Sequence, residues 1–66
     1  MTKKAIKEWY NDNMNSGDEK VVDIDVFEAY GTFVNIITIT RNHIVWKNSY
    51  ELVNGVFKFL DTKCLG

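Results

Sequence analysis

Residues 18–47 carry the clearest pattern of apolar and polar positions in this chain, and it has the period of β-strands. In the first run Val22, Ile24, Val26 and Tyr30 share one face. Asp23 and Asp25, then Phe27 and Ala29, share the other. Such alternation predicts a half-buried antiparallel strand, with Glu28 breaking the apolar face and inviting a bulge nearby. Gly31 supplies a turn. The run from Phe33 to Thr40 is apolar on both faces around Ile36 and Ile37, as suits the central strand of three. Asn42, which tolerates a left-handed conformation, turns the chain again, and Ile44-Val45-Trp46 makes a short third strand.

Helical periods flank this meander. Ala5, Ile6, Trp9, Tyr10 and Met14 recur every three to four residues, with Thr2 placed to cap and Lys3, Lys4 and Lys7 opposite. The pattern stops in the breaker-rich stretch Asn11 to Gly17. Residues 50–63 admit two readings. Val53-Asn54-Gly55-Val56 is a two-residue hairpin signal, and a hairpin there implies a five-stranded sheet with one helix. Against it, Glu51, Asn54, Gly55, Lys58, Asp61 and Thr62 form a polar arc at 100° per residue, opposite Leu52, Val53, Val56, Phe57, Phe59 and Leu60. Asn48 and Glu51 are spaced as a capping pair. The helical reading is preferred. The expected fold is a single α+β domain over residues 1–66, α-β-β-β-α: a three-stranded antiparallel meander with an N-terminal and a C-terminal helix on one face. One sheet face then lacks a cover, which predicts a partner or a homodimer.

Composition sharpens this picture. A 66-residue chain buries only about 60% of the surface its unfolded form exposes and needs reinforcement. One cysteine, Cys64, forms no internal disulfide, and with one histidine it cannot complete a zinc site of nitrogen and sulfur ligands. Nine aromatic residues supply core volume instead. With no apolar run near 18 residues and no secretory leader pattern, the expected setting is cytoplasmic, without membrane association.

The net charge is only −1, yet it is unevenly spread. Residues 12–28 hold six carboxylates against a single Lys20, a local balance of −5. Within them Asp18, Glu19, Asp23, Asp25 and Glu28 are the candidate contacts for another protein with a basic surface. A calcium loop counted from Asp12 fails, because Met14 holds the third position and Asp23 the twelfth. Arg41, His43 and Lys47, with Tyr30, Phe33 and Trp46 on the same meander, are the alternative: phosphate attraction plus base stacking on single-stranded nucleic acid. His43 has no orienting partner or nucleophile at a marked spacing, and no phosphate loop or dinucleotide fingerprint occurs. No catalytic residue, metal or cofactor is expected.

The α-β-β-β-α order is similar to that of double-stranded RNA-binding domains, but the basic cluster that opens their second helix is replaced here by Asn48-Ser49-Tyr50-Glu51-Leu52. It also resembles the order in some small acidic phage anti-CRISPR proteins, which occlude a basic nucleic-acid site. That resemblance implies an occluding inhibitor and assigns no residue a role.

Overall fold

The computed structural model describes residues 2–66. Helix α1 spans Lys3–Asn13 and opens on Thr2, whose hydroxyl accepts a hydrogen bond from the Ala5 amide at 3.1 Å. Ile6 and Tyr10 are its buried residues, and the three lysines are exposed. Asn15 then fixes the loop. Its side-chain amide donates to the Glu19 carbonyl at 2.9 Å, and its side-chain oxygen accepts from the Gly17 amide at 2.8 Å. Gly17, at φ +96°, takes the left-handed step of this turn.

Four strands follow, β1 Glu19–Glu28, β2 Thr32–Thr40, β3 Val45–Val53 and β4 Val56–Cys64, in one antiparallel sheet of order β1-β2-β3-β4. The expected C-terminal helix is not formed. Asn54 and Gly55 adopt φ of +51° and +78°, both left-handed, as a two-residue hairpin turn requires. β3 also runs through Asn48 and Ser49 instead of ending near Lys47, so the sheet has four strands rather than the three or five expected. The element-order resemblances lapse with that helix. The helical period of residues 51–62 has a structural origin. Phe57 and Phe59 lie on one face by simple alternation, and a bulge in the β3–β4 pairing, where Ser49 meets Asp61 but Tyr50 meets Phe59, inserts Leu60. Two adjacent apolar residues then interrupt the period of two and imitate a helical stripe.

A second bulge re-phases β1. The register shifts between Val21 and Asp23, so Val21 and Ile24 both enter the core while Val22 is left exposed. The bulge suggested by Glu28 thus lies toward the other end of the strand, and Tyr30, expected on the core face, is 92% exposed. The core comprises Ile6, Tyr10, Val21, Ile24, Val34, Ile36 and Tyr50, with Trp9 and Phe57 packed against it. Trp9 stacks on Phe57 at 4.1 Å between ring centroids and meets Tyr50 edge-on at 5.3 Å. Buried Thr38 is satisfied by Asn48, whose amide reaches the Thr38 hydroxyl at 3.3 Å and the Ile36 carbonyl at 3.2 Å. Asn48 is therefore a cross-strand tie, not a helix cap.

The turn chemistry makes the sign of one substitution diagnostic. Gly55→Ala would gain about 1 kcal/mol in a helix interior. In this turn it forces a Cβ into the left-handed region and is expected to lower stability by roughly 1–2 kcal/mol, measured by urea unfolding.

Candidate functional site on the open face of the sheet

Helix α1 covers one face of the sheet, and among the described residues no element covers the other. On that open face, strand alternation and register place the side chains in rows that cross all four strands. One row is Asp23, Ile37, Lys47 and Lys63; the next is Asp25, Asn35, Ser49 and Asp61; the third is Phe27, Phe33, Glu51 and Lys58. Ser49 donates a hydrogen bond to the Asn35 side-chain oxygen at 2.8 Å, tying the middle of the second row. At the end of the third row Phe27 stacks on Phe33 at 5.3 Å, and Tyr30 from the β1–β2 turn meets Phe33 edge-on at 5.0 Å. The face thus carries an aromatic cluster at one end and a polar, mixed-charge centre.

The five acidic candidates do not form one patch. Asp23 and Asp25 lie side by side on the open face, exposed, as the alternation predicts, and line an open hollow with Lys3, Asn35, Ile37 and Lys47. Asp18 sits in the loop before β1 and forms a solvent-exposed ion pair with Arg41 at 3.4 Å. Glu19 turns to the helix side, where it accepts a hydrogen bond from the Tyr10 hydroxyl. Glu28 also faces that side and accepts from the Thr32 hydroxyl at 3.4 Å.

The basic candidates are dispersed as well. Arg41 and His43 occupy the β2–β3 turn, where His43 rather than Asn42 takes the positive φ, +64°. Lys47 stands on the open face beside Ile37. Phe33 and Tyr30 are at the other end of β2, about 24 Å away at ~3.4 Å per residue. Trp46 is next to the turn but lies on the helix side, opposite Thr38, while Lys47 is on the open face, so the basic groups and the open-face rings are separated.

Glu51, Lys58, Asp61 and Lys63 belong to the open face and were invisible while residues 50–63 read as a helix. The Asn54-Gly55 pair was the signal that would have found them. Among the described residues no group of three or more His, Cys, Asp or Glu is placed to hold a metal ion. Nor is any described helix long and apolar enough to cross a membrane. No protein-family model matches the chain, and neither a curated protein nor a solved structure does.

The perturbed groups lie on the other side of the sheet. Burial pushes the Tyr10 phenol well above its usual range, and the hydrogen bond and charge of Glu19 push in the same direction. Burial, then the Glu19 charge, raises Tyr50 too. Both are structural groups under the helix. Above about pH 10 the unfolded chain releases these protons while the native state keeps them. The native state then binds more protons, so stability falls as pH rises. The contribution is complete below about pH 10 and is lost from there through the raised native values. Urea midpoints are expected to drop above about pH 10. The slope of that drop should flatten in the Tyr10→Phe/Tyr50→Phe double variant.

Proposed function

We propose that this chain is a non-enzymatic binding module that docks the open face of its sheet onto a basic surface of another protein and occludes it. The observation that carries this reading is the combination, on one uncovered and rigidly framed face, of the Asp23–Asp25 pair with the Phe27–Tyr30–Phe33 cluster. Aromatic residues are the usual energetic anchors of protein interfaces, and like-signed carboxylates steer a basic partner into register. Two carboxylates on a paired strand lose less conformational freedom on contact than an acidic tail would. The two longer dimensions of the molecule, 35 and 22 Å, give a face close to the ~800 Å² per partner of a standard interface.

The central row Asp25, Asn35, Ser49 and Asp61 favours a separable partner over a permanent homodimer, whose interfaces are more apolar. The nucleic-acid alternative draws less support, since Arg41 already pairs with Asp18 and lies at the opposite end of β2 from Phe33 and Tyr30, while Trp46 beside the turn is on the helix side. The exposed free thiol of Cys64 suits a reducing, cytosolic compartment.

Capture of the partner from the native host, with and without nuclease, tests the class of partner. With that partner in hand, Asp23→Lys/Asp25→Lys is expected to slow association about tenfold at low salt and less at high salt. Its fold should be intact, since exposed substitutions shift stability by roughly 0.5 kcal/mol or less. An association rate equal to that of the parent at both salt concentrations would exclude this face.

A further inference from the structure

We infer that the aromatic end of the open face is a docking site for an arginine side chain of the partner, an inference that rests on the reading above and names the chemistry the face would recognise. Tyr30 and Phe33 meet at 70° in a corner, and Phe27 stacks on Phe33 at an angle of only 18°, so Phe33 is the buried base of the corner. Tyr30, 92% exposed, is the ring open to stacking. Glu51 stands opposite Phe33 on β3 and brings a carboxylate to this corner. Its Oε2 is 3.0 Å from the point a Cβ would occupy on Gly31, and two ring carbons of Phe33 lie 3.6 and 3.8 Å from the same point. Glycine at position 31 therefore leaves the room in which the carboxylate and the ring edge come together.

Lys58 is directly opposite Glu51 on β4 without closing an ion pair with it, so a closer cation would compete with that exposed lysine for the carboxylate. A half-buried anion beside aromatic rings is mismatched to an apolar partner, which would desolvate it without a counter-charge. It is matched to a cation that binds rings and carboxylate together. A guanidinium does both: its plane stacks on an aromatic face within about 6 Å of the centroid, and its edge donates two parallel N–H bonds to a carboxylate. An ammonium, a compact point charge, offers no such plane.

The test titrates isotope-labelled protein with N-acetyl-arginine methylamide and follows the ring signals of Tyr30 and Phe33 and the carboxyl carbon of Glu51. The lysine and citrulline analogues serve as comparators. Saturable shifts with the arginine compound are expected, with binding of the lysine compound at least threefold weaker and no saturation with the neutral citrulline compound. Glu51→Gln should weaken arginine binding at least fivefold. Gly31→Ala, which crowds the carboxylate away, should do the same while Phe33 stays in place. Equal responses to arginine and citrulline, or no response up to the solubility limit, would overturn the assignment. The variants also separate this site from the docking face. If partner association depends on Asp23 and Asp25 but is unchanged in Glu51→Gln, the arginine site falls and the face stands. Indifference to all three substitutions removes both.

Discussion

One turn of helix holds this sheet together. Tyr10 reaches the start of β1 through Glu19, while its neighbour Trp9 lies flat on Phe57 at the start of β4. Between them Ile6 and Tyr10 fill the space over Val34, Ile36 and Tyr50 on the inner strands. A short antiparallel sheet gains independent stability only when one apolar face is covered. Here a single helix of 11 residues supplies that cover, so a few side chains must span the full width of the sheet. Large aromatics do this where aliphatic residues would not reach, and the stacked and edge-on contacts among Trp9, Tyr50, Phe57 and Phe59 form the bridge.

Having one helix also decides where function can reside. The helix packs on one face, and on the opposite face Phe33 is buried against Phe27 and Tyr30, so the rest of that face keeps side chains chosen for something other than the core. The two bulges serve this division. Without the shift at Val22, the alternation would send Val21 or Ile24 to solvent. Without the extra residue at Leu60, Asp61 and Lys63 would exchange faces with Thr62 and Cys64. Each irregularity keeps apolar residues inward on one half of its strand and charged residues outward on the other.

Much of this arrangement was legible in the chain. The N-terminal helix, its Thr2 cap, the first two strands and the outward pair Asp23 and Asp25 follow directly from apolar periodicity. The C-terminal half was misread because a bulged strand mimics a helical stripe, and because Asn48 and Glu51 carry a capping spacing that the fold uses for cross-strand contacts. A hairpin turn is a local signal of two residues, and it outweighed a stripe of twelve because left-handed φ at Asn54 and Gly55 costs little there. The hairpin also sets Trp46 and Phe57 at opposite ends of the β3–β4 pairing, Trp46 opposite Cys64 and Phe57 opposite Leu52. Of the candidate site, the acidic pair was readable and the contribution of Glu51 was not, since it depends on pairing between strands distant in sequence.

The stacking of Trp9 on Phe57 also has a kinetic meaning. Every strand pairs with its immediate neighbour in the chain, so the sheet can assemble by successive short loop closures and should form quickly for a β-rich domain. The helix is made first during synthesis, but the ring it rests on belongs to the last strand. Until β4 emerges, Trp9 has the edge-on contact with Tyr50 of β3 but not its stacking partner, and an isolated helix of this length is marginal in water. Docking of the first element is thus completed by the last, and a chain stopped short of Phe57 would leave one ring face of Trp9 uncovered as a mark of its incompleteness.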